Sequence, residues 1–379
     1  MKHTPLEIFI GKRLPEDVKA NIQVREKNGM YLYNYSNVRI VERDHPVLVK
    51  CRGLVLDKTG KVLNYPLDRF FNPHERESSW IDWDTAVVLE KVDGSLICVF
   101  WNGEGWEVTT RGSFYPNKGG GYADFAEKFK ELFTNWDRLD RGYCYIFEMC
   151  SKMNRIVTWY NTEFVTLIGV RDLTSLAELP LVLLQHAGAD LGVRTPKVYD
   201  VHDLEACRAM FESFPDDEEG FVVVDADFNR IKMKQDSYLA MAKIKMLSED
   251  DILDYVRGKI ALDGELLQKD PDVKAKVDSL RNRWTMFNEF MTSVFDDLVK
   301  KETRKEFAME AAKFKFRGFL FAMLDEKNIR EMRLSYDDFC KCEKDIMDIE
   351  IMGTCDICGA YVPLGIPMCE TCNWRLREG

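Results

Sequence analysis

Two short apolar runs near residue 90, joined by a lysine-containing motif, restrict the fold of this chain more than any other stretch. The first run covers residues 86–89, the second covers residues 96–100, and Lys91-Val92-Asp93-Gly94-Ser95 lies between them. Apolar runs that meet at an Asp-Gly pair are typical of two β-strands joined by a tight turn. The sequence therefore predicts a hairpin with Lys91 at the end of a buried strand.

Lys91 has two explanations at this point. A lysine that is desolvated, or that lies near other cations, loses its proton more easily and can act as a nucleophile. A lysine at the end of an ordinary hairpin can also reach solvent and carry no function. The residue alone does not decide between the two, so the decision depends on the rest of the chain.

Length and composition limit the class of protein. With 379 residues and 46% hydrophobic residues, the chain can form two or three packed domains. Its net charge of −11 argues against binding a polyanion over the whole surface, although 53 Lys and Arg residues leave room for a local basic groove. Neither a signal peptide nor a membrane span is expected. Seven scattered cysteines are typical of reduced core residues in a cytoplasmic protein.

Charged residues occur inside several predicted strands. Arg52 and Arg111 each precede a glycine, and Glu148 lies in the apolar strand at residues 143–150. A buried arginine needs an anionic partner, and a buried glutamate must form a pair or bind a metal or a ligand. For these residues a structural salt bridge and a ligand site are both open.

A later strand carries two lysines on one face. In residues 230–234 polar and apolar residues alternate, so Lys232 and Lys234 point to the same side. The strand before it, at residues 218–225, begins with two glutamates. Together these groups predict either a phosphate and metal site or a solvated face of the sheet.

The second half of the chain changes to helical periodicity. Apolar residues spaced three and four apart between Val273 and Leu298 predict one long helix. We expect this stripe to be the core seam of a helical domain rather than a dimerising coiled coil. A basic cluster with interleaved phenylalanines follows at residues 300–317. Either a solvated face or a modest RNA-binding role fits that cluster.

Four cysteines form two pairs near the C-terminus. Their spacing suits tetrahedral zinc, and the segment is too short to fold around a core of its own. Because protein ligands would fill all four positions, we expect a structural rather than a catalytic metal. The predicted ligands are Cys355, Cys358, Cys369 and Cys372.

Taken together, the motifs resemble those of the covalent nucleotidyltransferases, the superfamily of polynucleotide ligases and mRNA capping enzymes. Four segments occur in the order of that superfamily: Lys91-Val92-Asp93-Gly94-Ser95, Phe147-Glu148, Glu219-Gly220-Phe221-Val222 and Ile231-Lys232-Met233-Lys234.

Within the superfamily the sequence is most similar to the phage-type RNA ligase 1 family. Three stretches carry this similarity: Cys51-Arg52-Gly53, Arg69-Phe70-Phe71-Asn72, and Phe147-Glu148 continuing into Asn154-Arg155-Ile156-Val157. The family usually has lysine at the position of Arg69, so the charge is kept here but the geometry differs.

The resemblance implies an ATP-dependent RNA ligase that joins RNA 3′-hydroxyl and 5′-phosphate ends in RNA repair. Lys91 would attack ATP and carry AMP, which then passes to the RNA 5′ end before the ends are sealed. In the family's pattern Lys232 and Lys234 contact the α-phosphate, Glu219 binds Mg²⁺ or Mn²⁺, and Glu148 binds the ribose or the metal through water. The nucleotide-binding positions would be Arg52, Arg69, Phe71, Glu90, Gly94, Arg111, Glu148 and Val222.

The expected fold class is α+β. An adenylyltransferase domain of antiparallel sheets flanked by helices would cover residues 1–244, an all-helical domain that selects the RNA would cover residues 245–350, and a zinc ribbon would cover residues 351–379. The implied partners are ATP, a divalent cation, structural Zn²⁺ and RNA, with a cleaved tRNA as one candidate. We expect a monomer without membrane contact, in the cytoplasm, or in the host cytoplasm if the source is viral.

Three alternatives remain open. A capping guanylyltransferase and a DNA ligase share the motifs, but both normally continue with an oligonucleotide-binding β-barrel, whereas residues 245–350 have helical periodicity. The third alternative is a non-catalytic RNA-binding protein with a zinc module. Intact motifs at Lys91, Glu148, Glu219 and Lys232 argue against it.

Overall fold

The computed structural model describes residues 16–36, 43–114, 123–324, 333–347, 352–354 and 361–363. The chain divides into two compact units, Met1–Leu239 and Ala240–Gly379. The domain boundaries expected near residues 244 and 350 stay predictions. The four predicted zinc ligands lie outside the described residues; they are Cys355, Cys358, Cys369 and Cys372.

The described part of the first unit contains three antiparallel sheets of four strands each. The first sheet consists of β1 (Ile22–Lys27), β2 (Met30–Tyr35), β3 (Arg52–Asp57) and β4 (Val62–Asn64). The second sheet contains, from edge to edge, β10 (Val198–Tyr199), β5 (Val87–Glu90), β11 (Gly220–Val224) and β12 (Arg230–Lys234). The third contains β7 (Trp106–Thr110), β6 (Ser95–Trp101), β8 (Tyr143–Cys150) and β9 (Phe164–Asp172). The α-helices that accompany these sheets in the first unit are α1 (Glu16–Ala20), α2 (Ala123–Leu132), α3 (Leu181–Leu191) and α4 (Leu204–Met210). This mixture of helices and antiparallel sheets confirms the α+β prediction.

The predicted hairpin around residue 91 is wrong. β5 pairs with β10 and β11, whereas β6 pairs with β7 and β8, so the motif between them crosses from one sheet to another. A two-residue hairpin turn needs positive φ angles, and Gly94 does not have one. The turn is instead tied to a distant segment, because the buried Asp93 accepts hydrogen bonds from the backbone of Val157 and Thr158. Long-range contacts therefore overrode the local preference for a hairpin.

Alternation along β8 directs Glu148 away from the core. Its neighbour Phe147 is fully buried, and the Phe147 ring lies 5.1 Å from the Phe129 ring and 5.3 Å from the Phe133 ring, measured between centroids. Successive side chains of a strand point to opposite faces. Glu148 therefore faces the side of the sheet that is not filled by this aromatic cluster.

The same alternation in β12 places its lysines. Ile231 and Met233 are buried in the core of the second sheet together with Phe221. Lys232 and Lys234 are half-buried on the opposite face. The predicted placement of both lysines on one side of the strand is confirmed.

The described part of the second unit is mainly helical. Helix α5 (Asp236–Lys245) begins in the first unit and ends in the second. The helices after it are α6 (Glu249–Val256), α7 (Gly264–Lys269), α8 (Pro271–Val299), α9 (Arg304–Ala311), α10 (Arg317–Leu324) and α11 (Tyr336–Met347). Two short strands follow, β13 (Met352–Thr354) and β14 (Tyr361–Pro363). Helix α8 confirms the predicted long helix. Its apolar stripe, from Val273 to Leu298, is buried in the core of this unit. The stripe therefore packs within the unit, as the sequence predicts.

Cysteine burial in the described residues agrees with the sequence prediction. Seven cysteines are free there, and all but Cys340 are buried. Burial raises the pKa of Cys51 to about 12 and the pKa of Cys144 to about 11, so both groups are neutral thiols near pH 7. Burial in the core is thus confirmed for six of the seven cysteines in this part of the chain. Among the helices of the described residues, none is both long and apolar enough to cross a membrane.

Candidate active site

A buried carboxylate joins two of the predicted site lysines. The Glu219 side chain is 4% exposed, and its Oε2 accepts a hydrogen bond of 2.6 Å from Lys91 Nζ. Lys234 Nζ lies 2.7 Å from the other oxygen, Oε1. Two ammonium groups thus share one carboxylate, which offsets part of the cost of desolvating these charges. Three residues that are far apart in the sequence meet at one point.

The strand register explains this meeting. The Lys91 N–H donates to the Gly220 carbonyl over 2.9 Å, and Gly220 lies opposite Lys234 in the ladder between β11 and β12. Gly220 has a φ of 134°, and a Cβ at this position would overlap the Met233 carbonyl. Only glycine adopts such a backbone conformation without strain. The Glu-Gly pair of the motif therefore supplies both the carboxylate and the close approach of the strands.

Lys91 and Glu148 line a cavity of about 590 Å³, together with Arg52, Arg111 and Gly94. Five of the predicted site residues thus face one space, and its volume suits a small-molecule ligand. Burial raises the pKa of Glu148 to about 7, and the positive charge of Lys91 opposes this change. Part of the Glu148 population is therefore protonated near pH 7.

Two arginines give this cavity positive charge. The Arg111 guanidinium lies 5.2 Å from the centre of the Tyr35 ring, and its Nη1 donates to the Tyr35 hydroxyl over 3.3 Å. The Arg52 guanidinium lies 5.7 Å from the centre of the Phe70 ring. Burial lowers the pKa of Arg52, but a guanidinium stays charged in a protein. Neither arginine forms an ion pair within the described residues, so both charges are available to an anionic ligand.

Lys232 faces a second cavity, of about 770 Å³, which Lys234, His74 and Arg208 also line. Desolvation lowers the pKa of Lys232 to about 8, and the charge of Lys91 acts in the same direction. No carboxylate of the described residues forms an ion pair with Lys232. Within that part of the chain, this lysine is therefore a cation without a carboxylate partner, beside the Lys91–Glu219 pair.

Arg69 and Phe71 line a third cavity, of about 660 Å³, and not the cavity of Lys91. The Arg69 guanidinium lies 5.0 Å from the Phe71 ring and 4.3 Å from the Tyr35 ring. Its Nη1 is buried and has no hydrogen-bond partner among the described residues. The Phe71 carbonyl accepts a 3.1 Å hydrogen bond from the Lys232 backbone. Phe71 is thus hydrogen-bonded to β12, and neither Arg69 nor Phe71 lines the first cavity.

Glu90 and Val222 lie on adjacent strands of the second sheet. The Glu90 carboxylate forms an ion pair with Arg194 and accepts a 3.1 Å hydrogen bond from the Lys197 N–H. The Glu90 N–H donates to the Lys197 carbonyl over 2.8 Å. Val222 is half-buried in β11. Arg194 gave no signal in the sequence, and only its contact with Glu90 places it near the site.

Asp93 and Tyr238 complete the surroundings of the lysine motif. The sequence predicted a tight turn at Asp93-Gly94 beside Lys91 but no role for Tyr238. Asp93 is 4% exposed, and its Oδ1 accepts a 2.8 Å hydrogen bond from the Tyr238 hydroxyl. An added Cβ at Gly94 would overlap the Met149 carbonyl, so this position requires glycine. The motif itself was a signal for Asp93, whereas nothing in the sequence pointed to Tyr238.

Lys91, which follows β5, shares the Glu219 carboxylate with Lys234 of β12, and these are three of the residues in the motifs that resemble those of the covalent nucleotidyltransferases. The family model described as RNA ligase matches residues 50–246, which is more than half of the 379-residue chain. The chain belongs to this family, the phage-type RNA ligase 1 family. This agrees with the family expected from the sequence motifs.

Two viral relatives are similar over long stretches. An RNA ligase of Rhodothermus phage RM378 is 25% identical over 81% of this chain and 87% of its own length. A putative bifunctional polynucleotide kinase/RNA ligase of Autographa californica nuclear polyhedrosis virus is 30% identical over 63% of this chain, which corresponds to 37% of that protein. The chain thus spans most of the first relative and just over a third of the second.

Solved structures give weaker similarity. An archaeal ATP-dependent RNA ligase superimposes with a TM-score of 0.44 at 14% identity, over 85% of this chain and 81% of that one. An RNA ligase of Naegleria gruberi with ATP and Mn gives a TM-score of 0.35 at 17% identity, over 42% of this chain and 52% of that one. The chain thus covers about half of the Naegleria protein. At these scores the family assignment depends on the sequence match and on the site.

Proposed function

We propose that this chain is an ATP-dependent RNA ligase in which Lys91 accepts AMP. The observation that carries the proposal is the hydrogen bond of 2.6 Å between Lys91 and the buried Glu219, at the wall of a nucleotide-sized cavity. Membership of the RNA ligase family supports RNA as the substrate class. The described residues from 249 to 347 contain helices and no strand, which disfavours the β-barrel of a capping guanylyltransferase or DNA ligase.

The reaction would consist of three displacements at phosphorus. The Lys91 nitrogen first forms a bond to the α-phosphorus of ATP, and the bond to pyrophosphate breaks. An oxygen of the RNA 5′-phosphate then attacks the same phosphorus, and the bond to Lys91 breaks. Finally, the RNA 3′-hydroxyl attacks the adenylated 5′-phosphate, and AMP leaves. Because each step is an in-line displacement, catalysis depends on positioning and on charge neutralisation.

The first step requires Lys91 to lose a proton, because only the neutral amine has an electron pair for attack. In the structure Glu219 accepts a hydrogen bond from this amine and thereby orients it. Lys232 and Lys234 bring further positive charge to one face of β12. Glu219 would hold Lys91 in place, and the two lysines would neutralise charge on the phosphate that it attacks.

Phosphate recognition would fall to the remaining cations. Arg52 and Arg111 share a cavity with Lys91, so they are placed to bind phosphate oxygens of ATP or of the RNA 5′ end. Lys232 and Lys234 would contact the α-phosphate from β12. Supporting nucleotide-binding roles are proposed for Arg69, Phe71, Glu90, Gly94, Glu148 and Val222.

The carboxylates of Glu148 and Glu219 fit Mg²⁺ or Mn²⁺, which prefer oxygen ligands. Within the described residues there is no group of three or more side chains that could hold a metal by themselves. This suits a cation shared between one or two carboxylates and substrate phosphates, the usual mode for Mg²⁺. When bound, such a cation would neutralise charge on the phosphates.

The finer features of the proposal come from the sequence. We propose that the enzyme joins 3′-hydroxyl and 5′-phosphate ends of broken RNA, with a cleaved tRNA as one candidate, and that it acts as a monomer in RNA repair. Residues 245–350 would select the RNA, and a zinc ribbon with four cysteine ligands would follow them. The reduced, buried cysteines support a reducing compartment such as the cytoplasm.

Incubation with ATP labelled at the α-phosphate, in the presence of Mg²⁺, tests the nucleophile directly. Wild type should retain the label covalently, whereas Lys91→Ala should retain none. Lys58→Ala changes an exposed turn lysine outside the site and serves as the matched control. A wild-type protein that takes up no label, or a Lys91→Ala variant that keeps it, would contradict the proposal. Labelling from GTP instead of ATP would support the capping alternative.

A further inference from the structure

An exposed apolar surface follows β8. Three side chains within seven residues are largely solvent-accessible: Met153 is 43% exposed, Ile156 is 44% exposed and Trp159 is 55% exposed. The Arg155 guanidinium lies 4.6 Å from the centre of the Trp159 ring. Neighbouring apolar side chains that remain exposed often mark a site of interaction. Trp159 is therefore an exposed aromatic residue with a cation close to its ring.

Hydrogen bonds connect the segment that carries this surface to the loop that contains Lys91 and Asp93. The backbone N–H groups of Val157 and Thr158 donate to Asp93 Oδ2 over 2.9 and 2.8 Å. The Asp93 N–H in turn donates to the Tyr160 hydroxyl over 3.1 Å. Asp93 is two residues from Lys91, so the position of the exposed segment is fixed relative to the reacting nitrogen.

The same segment is also hydrogen-bonded to the loop that precedes Glu219. The Trp159 N–H donates to Asp217 Oδ2 over 2.8 Å, and the Thr158 hydroxyl donates to the Asp217 carbonyl over 2.6 Å. The backbone at Thr158 and Trp159 is therefore held on two sides, while Trp159 stays 55% exposed. A side chain on a fixed backbone has less freedom to lose when it binds a ligand.

The surface begins at the cavity of Lys91. Ile156 lines that cavity together with Lys91 and Arg111, and Trp159 lies three residues further along the chain. A strand whose end reaches Lys91 would thus meet an apolar and aromatic surface outside the cavity.

We propose that Trp159, backed by Arg155, is a stacking site for an unpaired RNA base next to the ends that are joined. The inference rests on the proposed ligase function. Proteins that bind single-stranded RNA stack its bases on aromatic rings and on arginine planes. With a net charge of −11, the chain has little general attraction for a polyanion. Base stacking near the reacting lysine would supply affinity that charge alone does not.

The test compares the affinity of Trp159 variants for single-stranded RNA with a 5′-phosphate, measured by fluorescence anisotropy. Trp159→Ala should weaken binding by about 5- to 150-fold, the range measured for the loss of one base–aromatic stack. Trp159→Phe keeps an aromatic face and should recover most of the affinity. Trp80→Ala removes a tryptophan that is 77% exposed elsewhere in the same unit, and it should bind as wild type does.

RNAs that lack one base identify the stacking partner. If the base of the 5′-terminal nucleotide stacks on Trp159, an abasic 5′ nucleotide should weaken binding by itself, and Trp159→Ala should cause no further loss. An RNA abasic at its 3′ end tests the other strand in the same way. The inference would be overturned if Trp159→Ala and wild type bound intact RNA with equal affinity. It would also be overturned if Trp159→Ala weakened the binding of both abasic RNAs as much as it weakens the binding of intact RNA.

Lysine labelling separates this inference from the proposed function. Wild type without label contradicts the ligase itself, whereas labelled Trp159→Ala with unchanged RNA affinity contradicts only the stacking site. Retained label also shows that the variant is folded. If Trp159→Ala takes up no label, Arg155→Gln is the replacement variant. It removes the cation of the Arg155–Trp159 pair and should also weaken RNA binding. Unchanged affinity of a labelled Arg155→Gln would then overturn the inference.

Discussion

At the scale of single residues, the site brings opposite charges together under partial burial. Glu219 is 5% exposed and binds both Lys91 and Lys234. Desolvation raises the pKa of Glu148 to about 7 and lowers the pKa of Lys232 to about 8. Groups whose pKa values move toward neutrality, next to a specific charged partner in a cavity, are typical of reaction sites. The electrostatics therefore point to the residues that the motifs indicate.

Glu219→Gln should reduce adenylation of Lys91 by about 10- to 100-fold, the kinetic equivalent of losing one hydrogen bond to a charged group. The amide keeps the shape but removes the negative charge that orients Lys91 and Lys234. The measurement is the initial rate of label uptake from α-labelled ATP. Glu218→Gln, a change at the adjacent residue, is the control and should label normally. A Glu219→Gln rate equal to that of the control would show that the carboxylate is dispensable.

Lys232 should make ATP binding depend on pH. Because its pKa is lowered to about 8, it is charged below that pH and loses its charge above it. The affinity for an ATP analogue with a methylene bridge between the α- and β-phosphates, which cannot adenylate the enzyme, should therefore fall as the pH rises from 7 to 9. Above about pH 8, the affinity for the analogue should fall by at most tenfold for each pH unit. Calorimetric titration at several pH values measures this.

Lys232→Arg is the control for that pH dependence. A guanidinium stays protonated throughout the range, so the affinity of this variant should change little between pH 7 and 9. If wild type and Lys232→Arg lose affinity in parallel, a different group titrates.

At the scale of elements, the sequence predicted which face of β12 carries its two lysines but not how the strands around Lys91 pair. Alternation placed Lys232 and Lys234 on one face correctly, because that periodicity is a local property. The hairpin at Lys91 failed because hydrogen bonds to Asp93 come from residues more than sixty positions away. Tyr238 was missed for the same reason, since its contact with Asp93 joins residues 145 positions apart in the sequence. Such pairings depend on the assembled fold, which no short pattern contains.

Gly220→Ala should destabilise the first unit by about 2–6 kcal/mol, the sum expected for a strained positive φ and for overpacking. Its φ is 134°, and an added Cβ would overlap the Met233 carbonyl on β12. Gly105→Ala is the control, because nothing lies within 4 Å of a Cβ there and φ is not positive. Thermal unfolding followed by circular dichroism gives Tm for each variant. Equal Tm values for the two variants would mean that β11 can relax away from β12.

At the scale of the whole molecule, the five proposed catalytic and metal-binding residues all lie in one compact unit. Lys91, Glu148, Glu219, Lys232 and Lys234 belong to Met1–Leu239, whereas the described part of Ala240–Gly379 supplies helices and one short pair of strands. Nucleotidyl transfer can therefore be derived from the first unit alone. RNA selection by the helical region and metal binding at the C-terminus depend on sequence patterns, and they need separate tests.

The purified, reduced chain should contain about one zinc ion, as expected for a closed site with four cysteine ligands. Cys355→Ser combined with Cys369→Ser removes one thiolate from each pair and should abolish zinc binding, measured by atomic absorption. Cys340→Ser changes a half-buried cysteine outside the pairs and should keep the metal. Because a filled structural site has no open position for substrate, the double variant should still label Lys91 with AMP. Zinc content unchanged by the double substitution would exclude the predicted ligand set, and loss of labelling would tie the C-terminal module to the chemistry of the first unit.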